Sequence, residues 1–141
     1  MSNTRSEPTA VTFRGADELS LVADEWNNPE AIEQSGQKFD SSRPSVLMLH
    51  GGGQNRFSWK NTGQILAAQG LHVVALDSRG HGDSDRSPAA KYTVEALCAD
   101  TCEVLRQIGR PVVLVGASMG GLTGILAAQE AGPESVLRLI L

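Results

Sequence analysis

Ser118 stands in Gly116-Ala117-Ser118-Met119-Gly120, a G-x-S-x-G. A serine hydroxyl becomes a useful nucleophile when a neighbouring base takes its proton and nearby donors shelter the oxyanion that forms. The apolar run 111–115 (PVVLV) precedes the pentapeptide, and residues 121–129 (GLTGILAAQ) read as a helix behind it. Strand, tight turn and helix are the setting that separates a nucleophile elbow from a chance five-residue match. Glycines on both sides of the serine suit a turn that crowds side chains and demands unusual φ. The arrangement lifts Ser118 Oγ above the sheet edge, at the start of a helix whose N–H groups favour developing negative charge.

Two further loops fall where such chemistry needs them. His50-Gly51-Gly52-Gly53 follows the apolar run 45–49 (SVLML). Adjacent glycines let backbone N–H groups approach a ligand oxygen without obstruction by Cβ. Beside an elbow, a loop of this kind supplies one oxyanion donor, and the residue after the serine, Met119, supplies the other. His50 is read as a pin for the loop, because the base is expected after the serine in the chain. Asp77-Ser78-Arg79-Gly80-His81-Gly82-Asp83-Ser84 follows the run 71–76 (LHVVAL). It reads as a self-bonded loop shaping the site floor, with Arg79 pairing to Asp77, Asp83 or Asp85. A substrate role for His81 is the secondary reading.

The elements that carry these loops alternate. Residues 10–14 and 19–26, joined by a turn at 15–18, read as a β-hairpin, with Leu19, Leu21 and Ala23 alternating toward one face. Residues 27–43 are polar and contain Pro29 and Gly36, which predicts a loop. The run 45–49 is apolar on both faces, as parallel strands are. A helix is predicted over 58–69, with Ser58 as N-cap and Gly70 as its stop. After the strand at 71–76, the stripe Val94, Leu97, Cys98, Thr101, Leu105, Ile108 has helical period, with Thr93 as cap. Gly132-Pro133 ends the elbow helix, and a last strand opens at Val136. Strands separated by helices imply parallel pairing through right-handed crossovers, hence an α/β fold: a mostly parallel sheet with helices on both faces. Residues 1–9 read as a flexible N-terminus to a single domain.

Composition narrows the class. Hydrophobic residues at 40% and charged residues at 20% fit a globular chain rather than a disordered one. A net charge of −4 disfavours binding to a phosphate backbone, so nucleic acid is not an expected partner. No stretch offers about 20 predominantly apolar residues, which excludes a membrane-spanning helix as the expected mode. The first residues lack an apolar signal core, so a cytoplasmic location is the default expectation. Cys98 and Cys102, four apart in a helical pattern, read as two reduced thiols on a buried face.

Taken in order, the blocks 49–54, 76–84 and 115–121 resemble the signature blocks of the α/β-hydrolase family. The resemblance runs from about Thr12 to Leu141. It implies a serine-dependent hydrolase acting on a small-molecule carboxylic ester or related acyl substrate. Ser118 would be the catalytic nucleophile, and the Gly52 and Met119 N–H groups would form the oxyanion hole, with Gly53 a lesser donor. The soluble esterase, perhydrolase and C–C hydrolase branches look closest. Epoxide hydrolases and haloalkane dehalogenases are similar around His50 and Asp77 but use an aspartate nucleophile, so Ser118 argues against their chemistry. No metal or organic cofactor is implied.

The family's pattern continues with an acid and then a histidine after the serine. Between Met119 and Leu141 there is no histidine and no aspartate, and the only acids are Glu130 and Glu134. The expectation is therefore an N-terminal portion of the fold, cut before the triad acid and base and before any cap domain. Two alternatives are a non-catalytic binding protein on the same scaffold and an acyltransferase or perhydrolase. On the truncated reading the strand at Val136 is an unfinished edge. Val136, Leu137, Leu139, Ile140 and Leu141 would then face solvent, favouring poor folding or self-association.

Overall fold

A computed structural model describes residues 6–141. Six strands form one sheet: β1 (Thr9–Arg14), β2 (Ser20–Trp26), β3 (Ser45–Leu49), β4 (Val73–Leu76), β5 (Val112–Gly116) and β6 (Val136–Ile140). Their order across the sheet is β1-β2-β4-β3-β5-β6. β1 and β2 pair antiparallel, and β2 joins β4 antiparallel. From β4 through β3 and β5 to β6 every pairing is parallel. The expected mostly parallel α/β sheet is what these residues form.

Among the described residues four α-helices complete the fold: α1 (Pro29–Gln34), α2 (Lys60–Ala68), α3 (Val94–Ile108) and α4 (Met119–Ala131). Side-chain alternation along the strands explains why both faces need cover. Leu47, Leu49, Val74, Leu76 and Leu114 point into a core shared with Val104 and Leu105 of α3 and Ala127 of α4. Val46, Met48, Val73 and Ala75 point the other way, into a smaller core with Trp26 and Ala67 of α2. All five residues of β3 are buried, as a central parallel strand requires. Each fully buried Leu or Val adds about 1.5–3 kcal/mol relative to exposure. Among the described residues no helix is long and apolar enough to cross a membrane.

Several boundaries differ from the sequence expectation, each for a local reason. The polar segment 27–43 contains α1, where the Asn28 side chain accepts from the Ala31 N–H and Pro29 occupies the first turn. None of its residues is buried, so no apolar stripe advertised it. Ser58 does not cap α2. It lies inside a 3-10 turn, Arg56–Trp59, that Asn55 caps through the Phe57 N–H, and α2 continues from there. Gly70 does end that region, at φ +83°. Thr93 caps α3 by accepting from the Ala96 N–H.

Of the segment 1–9 expected to be flexible, residues 1–5 lie outside the described residues. Ser6 O accepts from Trp26 Nε1 at 3.0 Å, and Thr9 already belongs to β1. β6 lies at one end of the sheet. Leu137, Ile140 and Leu141 are exposed there as expected, but Val136 is buried, packed into the larger core where β6 meets β5. Leu139 is half-buried beside Gly124 of α4.

Candidate active site

The elbow is built by backbone crossing backbone. β5 ends at Gly116, and α4 begins at Met119. A Cβ on Gly120 would meet the Leu49 carbonyl and would lie 2.7 Å from His50 O, so α4 enters by touching the end of β3 directly. A Cβ on Gly116 would run into the Gly120 carbonyl and lie 2.7 Å from Gly121 N. Only glycine fits at either place. Ala117 N–H donates to Leu49 O at 3.1 Å, and Gly120 N–H donates back to Ala117 O at 2.9 Å.

Ser118 pays for this closeness with its backbone. It sits at φ 52°, ψ −113°, outside the regions that L-residues ordinarily occupy, and its side chain makes no capping bond. A non-glycine residue held there costs of order 1–3 kcal/mol, and such strain clusters at functional sites. The residue is exposed at the rim where β3, β4 and β5 all end.

Around Ser118 the structure assembles the other residues expected at the site. Met119 is the first residue of α4, so its N–H is one of the helix-start donors with no intrahelical acceptor. Gly52 lies beside it, with its would-be Cβ 3.8 Å from Met119 Sδ. Gly53 is different. Its N–H donates to His81 Nε2 at 3.2 Å, so the lesser candidate donor is already engaged. Gln54 folds back to accept the Gly51 N–H at 3.0 Å, closing the glycine turn.

His50 is fully buried and bridges loops, as its role as a pin required. Its Nδ1 donates to Gly51 O at 2.8 Å, and its Nε2 accepts the Ser78 N–H at 3.0 Å. Burial pushes its pKa down and the nearby His81 adds to that, while the Gly51 carbonyl and Asp77 pull the other way. His72 belongs to the opposite rim, where its ring nitrogens meet Ser45 Oγ and Glu25 Oε2, each at 2.7 Å. Among the described residues no histidine bonds Ser118.

The expected partners of Arg79 are corrected. Arg79 pairs with none of Asp77, Asp83 and Asp85. It is completely buried and grips Asp100 of α3 with two bonds, at 2.6 and 2.7 Å, and reaches Asp17 at 3.1 Å. The Asp100 bonds raise its pKa against the opposing effect of burial. Asp77 and Asp83 belong instead to Arg56, which also holds Asp24 at 2.9 Å. Burial alone would lower the Arg56 pKa, but bonds to Asp83, Asp24 and Asp77 outweigh it and the net shift is upward.

Arg56 was not singled out in the sequence, yet it fastens the start of the 3-10 turn to the β4 loop. Asp100 was also missed, although an acid inside the apolar stripe of α3 signals a buried partner. Cys98 and Cys102 are free thiols on α3, and burial pushes Cys102 up to about 11.

Comparison with known proteins agrees with this geometry. A family model described as alpha/beta hydrolase fold matches residues 44–141. The sn-1-specific diacylglycerol lipase ABHD11 of Mus musculus is 38% identical over 104 residues, covering 72% of this chain and 33% of its own. Esterase Rv0045c of Mycobacterium tuberculosis is 31% identical over 140 residues, covering 90% of this chain and 46% of its own. An alpha/beta hydrolase from Novosphingobium aromaticivorans superposes with a TM-score of 0.79 at 27% identity, covering 95% of this chain and 43% of that one. The chain thus spans between a third and a half of the length of these relatives. With a mostly parallel sheet, a strained serine elbow and glycine turns on one rim, the chain belongs to the α/β hydrolase fold family.

Proposed function

We propose that the protein supplies the nucleophile and oxyanion hole of a serine-dependent hydrolase acting on a carboxylic ester or related acyl compound. The observation that carries the reading is Ser118, exposed and strained at the head of α4, beside Gly52 and Met119. In this mechanism Ser118 Oγ attacks the acyl carbonyl while a base takes its proton. The Gly52 and Met119 N–H groups receive the oxyanion, and collapse expels the alcohol to leave an acyl-enzyme. Losing one such donor typically costs about 2.7–4 kcal/mol of transition-state stabilisation. Water then releases the acid, and another nucleophile in its place would make the protein an acyltransferase or perhydrolase.

His50, His72 and His81 are all bonded elsewhere. We therefore assign the triad acid and base to residues outside these 141, a reading supported by the greater length of the relatives. The exposed Leu137, Ile140 and Leu141 of the sheet end support a companion proposal, that this chain by itself self-associates there. Size-exclusion chromatography across a dilution series tests it, and a monomer at every concentration overturns it.

Fluorophosphonate labelling and p-nitrophenyl ester turnover test the catalytic proposal, applied to this chain and to the chain extended through its downstream reading frame. Labelling of the extended protein that disappears in Ser118→Ala is expected. An extended protein that neither labels nor turns over would instead support a binding protein on the same scaffold.

A further inference from the structure

Two histidines lace the glycine turn after β3 to the loop after β4, and they do so reciprocally. His50, from the first loop, accepts the Ser78 N–H of the second at 3.0 Å. His81, from the second, accepts the Gly53 N–H of the first at 3.2 Å. Each ring spends its other nitrogen on a carbonyl within its own loop, His50 Nδ1 on Gly51 O at 2.8 Å and His81 Nδ1 on Arg79 O at 3.0 Å. A carbonyl can only accept, so both Nδ1 atoms carry the proton and both Nε2 atoms are bare acceptors. The rings lie 5.0 Å apart. Neutral imidazoles are therefore what the clasp requires.

We propose that His81 is a positioning residue that, by holding the Gly53 N–H, orients the adjoining Gly52 N–H for oxyanion binding and releases it when the ring is protonated. This rests on the reading of Gly52 as an oxyanion donor. By taking the Gly53 N–H, His81 withdraws that group from the site and fixes the turn that presents the Gly52 N–H beside Met119. A proton on Nε2 converts the acceptor into a donor facing another donor, and the bond is lost. The partner ring is shielded from the change: His50 is fully buried, and burial, with the neighbouring His81, lowers its pKa against the Gly51 carbonyl and Asp77.

The charged groups of the surrounding elements are already committed. Asp77 and Asp83 are held by Arg56, and Arg79 by Asp100 and Asp17. The turn 51–55 carries no charge, and α4 has no acid in its first turn. His81, half-buried at the loop surface, is thus the group in this clasp that solvent protons reach.

The test uses the protein extended through its downstream reading frame, labelled with 15N and read by NMR, which needs no turnover. The expected result is that the Gly53 amide resonance moves with the same midpoint as the His81 ring nitrogens, and that in His81→Gln, whose side-chain oxygen can accept without titrating, the Gly53 amide stays still from pH 8 to pH 5. A Gly53 amide indifferent to His81 protonation overturns the proposal, as does one that still titrates in His81→Gln. If the variant does not fold, the wild-type comparison of the two midpoints decides alone. Failure of Ser118 in the extended protein to react with a fluorophosphonate would refute the catalytic reading without touching these resonances, so the two failures are distinguishable.

Discussion

Replacing Ser118 by glycine is expected to stabilise the protein while deleting its proposed nucleophile. The serine backbone sits at φ 52°, ψ −113°, and its exposed side chain bonds nothing at the helix start. Strain of this kind costs of order 1–3 kcal/mol, which glycine escapes. Glycine in turn loosens the unfolded chain, a loss of about 0.5–1 kcal/mol. Mid-range values give a net gain of about 1 kcal/mol, or roughly 3–4 °C in Tm for a domain of this size. Ser118→Ala keeps Cβ and therefore keeps the strain, so it serves as the control. Urea denaturation of the three proteins, followed by circular dichroism, measures the difference. If the glycine variant is no more stable than the alanine variant, the elbow stores no relievable strain and the reasoning fails.

Gly120→Ala, despite a helix-propensity gain of about 1 kcal/mol, is expected to lose about 2 kcal/mol or more in the same assay, because its Cβ meets immovable backbone of β3. Gly121→Ala is the contrast, since its nearest neighbour would be 3.4 Å away, and it should be neutral or stabilising. Arg56→Met leaves Asp77 and Asp24 buried without their cation and should cost about 3–5 kcal/mol by urea titration at pH 7; an unchanged midpoint would remove Arg56 from its anchoring role. His50 has a lowered pKa when folded, so the unfolded chain binds its proton more readily. Its contribution is complete above about pH 6.5 and is lost as pH falls through the folded value. Urea midpoints at pH 8 and pH 5 should therefore fall further in wild type than in His50→Gln, and parallel falls would contradict the assignment.

The elbow and the glycine turn were legible in the chain because both are local. A strand, five residues and a helix suffice to specify where Ser118 goes, and the sheet order only has to bring β3 next to β5. Arg79 and Arg56 were not legible for the opposite reason. Arg79 lies 21 residues from Asp100 and 62 from Asp17, and Arg56 lies 32 from Asp24, so their partners emerge only once β2 docks on β4 and α3 packs over the sheet. Nearby acids in the loop after β4 offered a plausible but mistaken match for Arg79. α1 escaped notice although Asn28-Pro29 is a start signal, because six residues with no buried side chain carry no apolar periodicity to read. The engagement of Gly53 by His81 was hidden too, since it joins two loops 28 residues apart.

The contact of Gly120 with the end of β3 has an evolutionary corollary. No side chain intervenes between the strand that leads to Gly52 and the helix that starts after Ser118. Substitutions around the rim can change its size or polarity without moving Ser118 relative to the glycine turn or the start of α4. On the proposed reading, a scaffold wired this way can diversify its substrates by ordinary point mutation while its chemistry is inherited unchanged. The same wiring makes Gly116 and Gly120 positions at which drift is closed off.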